Sequence, residues 1–348
     1  MSKKVRILSL DGGGTRGVIP ATILVYVEEQ LKKKSGNPNT KLADYFDFVA
    51  GTSTGGMLAC FYLAPGFSDD QDKTSTAKFE ATQALDFYVQ RGNDIFNKSR
   101  KNNWLGLRSL IDATKFSPIM LDNVLLEVFG NTRMTELIRP CLVTTYNMKT
   151  TSPFFFNSHE DTDKQRDFYV RDVARSTSAA PTYFPPAQIN NLITGEEMFN
   201  IDGGLFAHDP TMMAYVECRK TKFPQKEHPT AKDMLILSLG TGASDIQLNQ
   251  LDKSNKWWLG KWATYLPQIV IDGAFDTITT QMRWLFDTLE GDQKNYLRVD
   301  VPEENPGSFS PDLADASPEN INKLQEVAQA TLEHHRNSLD EFINHLMA

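Results

Sequence analysis

Short runs of β-branched, aliphatic and aromatic residues recur along the chain: Val5 to Leu10, Phe46 to Ala50, Leu142 to Tyr146, Met198 to Ile201, Met234 to Leu239 and Tyr296 to Val301. Their length and composition predict buried strands. Between many of them the spacing of apolar positions changes to that of a helix. Pro20, Leu24, Val27 and Leu31 mark one face of a helix from about Val18 to Lys34, closed by Ser35-Gly36-Asn37-Pro38. Near the other end, Ser317-Pro318-Glu319 has the form of an N-cap, a proline at the first helical position and an early acid. Ile321, Leu324, Ala328, Thr331, His335, Leu339, Phe342 and Leu346 follow as one stripe, so an amphipathic helix is expected over about 317–346. Strands alternating with helices imply a mainly parallel sheet with helices on its faces, an α/β fold. The polar stretches Asp69 to Lys78 and Gln247 to Lys256 are expected to be surface loops.

Composition narrows the class. The 348 residues are enough for two domains of ordinary size or for one large α/β domain. With 40% hydrophobic and 23% charged residues the chain is neither disordered nor fibrous. Thirty-six basic against forty-four acidic residues leave a net charge of −8, which argues against a nucleic-acid polymer as partner and against docking on an anionic membrane by overall attraction. Three cysteines, Cys60, Cys141 and Cys218, lack the spacing of a disulfide framework or a zinc site, and the histidines show no metal-ligand spacing. The N-terminus enters its first strand at Val5 without the apolar core of a signal peptide, so a cytoplasmic location is expected. The stretch from Phe48 to Ser68 has no charged residue, but Gly51, Gly55, Gly56 and Pro65 make it a poor membrane helix.

Three motifs carry chemistry. Asp11-Gly12-Gly13-Gly14-Thr15-Arg16-Gly17 lies between the first strand and the first helix and satisfies GxGxxG. A dinucleotide site is disfavoured: Asp11 would face the pyrophosphate, and the acid expected about 20 residues on is replaced by a polar turn. Glycine amides at a helix start suit a transient alkoxide equally well. Gly51-Thr52-Ser53-Thr54-Gly55-Gly56 is GxSxG in its setting of strand, sharp turn and helix, a nucleophile elbow with Ser53 at the apex. It also accounts for the uncharged stretch. Six histidines are available as base for Ser53, but His334 and His335 fall inside the C-terminal helix, and His208 precedes no obvious acid partner that would complete the Ser, acid, His order of an α/β-hydrolase. Asp202-Gly203-Gly204, at the end of a short apolar run, is the carboxylate alternative.

These motifs resemble the patatin-like phospholipases. The resemblance extends to Lys41 through Asp47, Ser178 through Pro186, Leu237 through Gly242 and Asn295 through Val299, in the family's order. It implies a three-layer α/β/α fold formed as a single catalytic domain over 1–348, and a serine carboxylic-ester hydrolase that cleaves acyl lipids of the phospholipid or galactolipid type. It also implies that Ser53 is the nucleophile and Asp202 the base, that the backbone of Gly12, Gly13 and Gly14 forms the oxyanion hole, and that Arg16 supports that loop, with no cofactor and no metal. Transient peripheral contact with a membrane is the expected partner interaction. Trp257-Trp258-Leu259-Gly260-Lys261-Trp262 and Arg100 through Leu105 are candidate interfacial segments. Two alternatives follow from other readings: an antiphage-defence effector of the same family, activated by a cyclic nucleotide, and a Ser-His-Asp esterase of the α/β-hydrolase kind.

Overall fold

The computed structural model describes residues 4–67, 73–96, 114–159, 165–242, 277–289, 294–304 and 308–348. Its strands are β1 (Val5–Leu10), β2 (Phe48–Thr52), β3 (Pro65–Phe67), β4 (Lys73–Ala77), β5 (Cys141–Asn147), β6 (Ser152–Asn157), β7 (Ala187–Asn190), β8 (Glu197–Asp202), β9 (Lys222–Phe223), β10 (Lys226–Glu227), β11 (Met234–Leu239) and β12 (Tyr296–Val299). Eight of them form one sheet in the order β12-β11-β1-β2-β5-β8-β7, with β6 also on β5. The pairings from β12 across to β5 are parallel, and β6, β8 and β7 join antiparallel. The sheet is therefore mixed and mostly parallel. All six expected strands are present within it; β6 and β7 were not anticipated, and the polar stretch expected as a loop contains β4, which pairs with β3. The tryptophan-rich segment, Arg100 through Leu105, and Gln247 through Lys256 lie outside the described residues.

Alternation along the strands divides the core between two faces. Leu8, Leu10, Val49, Val143, Leu235 and Leu237 point into one buried cluster with α1 (Val18–Ser35), α2 (Thr54–Leu63), α3 (Ala81–Ile95), α4 (Pro118–Phe129), α5 (Val170–Thr177) and the C-terminal helix Pro318–Met347. Val5, Ile7, Phe48, Ala50, Leu142 and Ile236 point into the other, against α7 (Thr211–Lys220) and the helical residues 277–287. A short α6 (Gly204–Ala207) follows β8. Successive strand residues face opposite sides, so a sheet covered by helices on both faces must be apolar at every position. That is why β1 and β11 are apolar apart from Arg6, Ser9 and Ser238, and it gives the three-layer arrangement. Among the described residues no helix is long and apolar enough to cross a membrane.

Both helices predicted from the pattern form where expected. α1 ends at Gly36, which takes the left-handed conformation at φ 69° that glycine tolerates without strain. The C-terminal helix is capped by the Ser317 hydroxyl, which accepts from the Asn320 amide, and has Pro318 at its first position. It buries its stripe against α1, and Tyr26 donates to Asp340 at 2.5 Å across that seam. Leu339 lies in it with no exposed surface. Leu339→Ala is expected to lower unfolding stability by about 2–5 kcal/mol through the lost burial and the cavity left behind, measurable by urea denaturation.

Candidate active site

Ser53 sits where β2 has ended and α2 has not yet begun, at φ 53° and ψ −121°. Positive φ strains a residue that has a β-carbon, so the surroundings must impose it. They do so by close contact: a Cβ on Gly51 would stand 2.2 Å from the Gly55 carbonyl oxygen, so the turn closes only with glycine there. The Ser53 amide donates to Thr177 Oγ1 at 2.8 Å, which ties the elbow to the end of α5. The N-terminus of α2, the positive end of its dipole, begins at the next residue.

Asp202 reaches Ser53 through the pairing of β5. A strand has two edges, and β6 occupies one of them from Leu142 to Asn147. On the other edge β2 pairs as far as Thr52 with Thr144, and β8, running the opposite way, begins with Asp202 opposite Thr145. The two strands therefore meet head-on. Ser53 Oγ donates to Asp202 Oδ2 at 2.5 Å, and the Gly204 amide donates to Asp202 Oδ1 at 2.7 Å. Burial pushes the Asp202 carboxyl up to about 6, with those two hydrogen bonds pulling the other way.

The glycine loop lies against this pair: a Cβ on Gly12 would stand 3.4 Å from Ser53 Cβ. The Gly12 amide is committed to the His208 carbonyl at 3.0 Å, and its own carbonyl accepts from Thr241 Oγ1 at 2.5 Å. Among the described residues the Gly13 and Gly14 amides have no acceptor. Arg16 is buried and donates to the Gly242 carbonyl at 2.9 Å and to the Gly13 carbonyl at 3.4 Å, which fixes the loop from behind. Gly14 and Ser53 together line a narrow cavity of about 50 Å³ whose walls include Met57, Phe87, Tyr88 and Phe184. Two buried hydroxyls on its lining, Thr15 Oγ1 and Ser178 Oγ, have no hydrogen-bond partner among the described residues.

Below the loop is a buried charge network. Arg298 holds Asp11 through two bonds at 3.1 and 2.6 Å and Asp300 at 2.6 Å, with Asp209 at 3.9 Å. Burial pushes Asp11 well above the usual carboxylate range, Arg298 opposes this, and Asp209 and Asp300 add to it. Asp300 also accepts from the Gly242 amide at 2.9 Å. Burial, reinforced by Arg16 and Arg298, drives His208 down to about 3, so its ring is neutral at pH 7.

A family model described as patatin-like phospholipase matches residues 8–215. The chain belongs to the patatin-like phospholipase family. Patatin-like protein 6 of Arabidopsis thaliana is 32% identical over 339 residues, covering 94% of this chain and 65% of that relative, so the chain spans 65% of its length. Patatin-17 of Solanum cardiophyllum is 33% identical over 347 residues, covering 95% of this chain and 84% of the relative. Among solved structures, VipD from Legionella pneumophila aligns with a TM-score of 0.38 and 12% identity over 94% of this chain and 67% of that chain.

In this patatin-like chain Ser53, Asp202 and the glycine loop converge, and Arg16 bonds the loop at the Gly13 carbonyl. No histidine intervenes between Ser53 and Asp202, which touch directly. His159 pairs with Thr221, His228 with the Arg219 carbonyl and His335 with the Asp300 carbonyl, while half the side chain of His334 is exposed. Arg298, Asp300, Thr177 and Thr241 were not singled out from the sequence for any role. Arg298 and Thr241 do lie inside motifs that carried the resemblance, whereas Thr177 directly precedes one and Asp300 follows one. Arg298→Met would leave Asp11 buried without its partner, and breaking a buried pair in this way costs about 3–5 kcal/mol. Urea denaturation at pH 8 should show that loss. The deficit should narrow as pH falls, because native Asp11 takes up a proton before the unfolded carboxylate does, and adding Asp11→Asn should restore part of it.

Proposed function

We propose that the chain is a lipid acyl hydrolase of phospholipase A type, acting on acyl esters of phospholipids or galactolipids, with the described elements and the C-terminal helix forming one catalytic domain. The observation that carries this reading is the direct hydrogen bond from a strained, elbow-mounted Ser53 to a buried Asp202, at the mouth of an apolar cavity.

In the proposed reaction Asp202 takes the Ser53 proton as Oγ attacks the ester carbonyl. The proton then passes to the departing alcohol and leaves an acyl group on Ser53. Asp202 next takes a proton from water, whose oxygen attacks the acyl carbon. The fatty acid departs and the proton returns to Ser53. A free aspartate is a weak base for a hydroxyl. Raising its pKa from 3.8 to about 6 narrows the mismatch by about 3 kcal/mol. The oxyanion is received by the Gly13 and Gly14 amides, with the start of α2 adding its dipole. Gly12, held at both its amide and its carbonyl, and Arg16, bonded to two carbonyls, keep that backbone in place. The acyl chain enters the apolar cavity, and the Thr15 and Ser178 hydroxyls are available to the substrate's ester oxygens. A lipid substrate brings the protein to a membrane surface peripherally.

Mass spectrometry of products from vesicles of mixed phospholipids tests the proposal. Ser53→Ala and Asp202→Asn should each abolish release of fatty acid while the circular dichroism spectrum stays native; near-normal turnover by folded Asp202→Asn would overturn the dyad. In the wild type the rate should rise with pH through about 6 as Asp202 ionises.

The same group sets a stability test. Below about pH 4 both folded and unfolded states carry the proton. Between there and about 6 only the unfolded state releases it, so native stability falls, and above about 6 the loss is complete. Asp202→Asn should therefore be more stable than wild type at pH 8, by up to about 3 kcal/mol, with the difference closing toward pH 4.

A further inference from the structure

One stripe of α3 forms a wall of the cavity that holds Ser53: Tyr88, Gly92, Ile95 and, just past the helix, Phe96. Tyr88 belongs to the reactive end, because its hydroxyl donates to the Thr54 carbonyl at 3.0 Å and accepts from Thr54 Oγ1 at 2.6 Å, one residue beyond Ser53. Phe96 belongs to an aromatic end, with ring centroids 5.7 Å from Phe116 and 6.0 Å from Phe184. Gly92 lies between them, about 6 Å along the helix axis from each.

A glycine in a helix interior weakens the helix, and one kept there usually has a packing reason. Packing gives none here. Gly92 has no positive φ, and among the described residues a Cβ added to it would meet only Ala316 Cβ at 3.5 Å, an ordinary contact. What the missing side chain leaves is space on the cavity wall. We infer that Gly92 is a specificity-determining residue: the notch through which an acyl chain attached at Ser53 continues past Tyr88 toward Phe96. The inference rests on the acyl-hydrolase reading above. It makes the length of acyl chain that the pocket accepts a property of one position.

Purified full-length protein is assayed on p-nitrophenyl butyrate, octanoate, laurate and palmitate, with Ser53→Ala as the blank. Gly92→Leu should lose at least about tenfold in kcat/KM on palmitate and stay within about twofold on butyrate. Gly92→Ala should shift the profile the same way by less, with a melting temperature at or above that of wild type. Chain-length profiles that superimpose on wild type would overturn the notch and leave the hydrolase reading standing. So would an equal loss on all four esters in a folded variant, which would make Gly92 a packing residue. Absence of Ser53-dependent hydrolysis by the wild type on every ester would overturn the hydrolase reading, and the notch with it.

Discussion

The contact between Ser53 and Asp202 depends on where β2 stops and β8 starts along one edge of β5. Four threonine hydroxyl interactions pin that junction. Thr144 and Thr52 share a bond at 2.7 Å, Thr52 donates to the Ala207 carbonyl at 2.6 Å, and Thr145 donates to the Ile201 carbonyl at 2.7 Å. The fourth is Thr177, which holds the Ser53 amide. All four residues are buried, so each hydroxyl must find its partner or bear the full cost of desolvation. A slip of one residue in either strand would unpair them and exchange the side chains presented to the two faces. Register at this junction is thus enforced by the core itself, and the 2.5 Å contact follows from it.

The fold gives its two buried aspartates different partners, although burial raises the pKa of both. Asp11 receives a bidentate guanidinium and serves as a fixed anchor beneath the glycine loop. Asp202 has only a hydroxyl and one amide as partners and no cation in contact. Burial therefore raises its pKa to about 6 with little to oppose it. Removing the arginine from Asp11 would undo the loop's support. The distance between the two systems is bridged by backbone: Arg298 holds Asp300, Asp300 holds the Gly242 amide, and Arg16 links the Gly242 carbonyl to that of Gly13.

Much of this was legible in the chain. The largely apolar runs of β1 and β11, the stripe and cap of the C-terminal helix, and the glycines at the Ser53 turn each report a local constraint that one segment satisfies alone. Asp202 was legible as a candidate because two glycines follow a strand-end acid. Its direct contact with Ser53 was implied by the family resemblance but not by the residue pattern, since that contact depends on β6 occupying the far edge of β5, and β6 was itself unrecognised. The commitment of the Gly12 amide to His208 was equally invisible, because it pairs a loop with a carbonyl about two hundred residues away. Residues 73–77 read as a polar loop because Lys, Thr and Ser suit a solvated strand pair as readily as a loop.

A base that touches the nucleophile directly asks less of the chain than a relay through histidine. Two strand ends supply both groups here, whereas a triad needs a third segment to carry an imidazole and a buried acid to orient it. His208, whose ring is neutral at pH 7, contributes its backbone carbonyl to the Gly12 amide. The arrangement has a corresponding demand. Without imidazole the base must be tuned by dehydration alone, and dehydration requires apolar walls close around Ser53. In the proposed reaction the narrow cavity lined by Met57, Phe87 and Phe184 would serve the proton transfer as well as the substrate. A mutation that let water into it would lower the pKa of Asp202 even without touching the dyad.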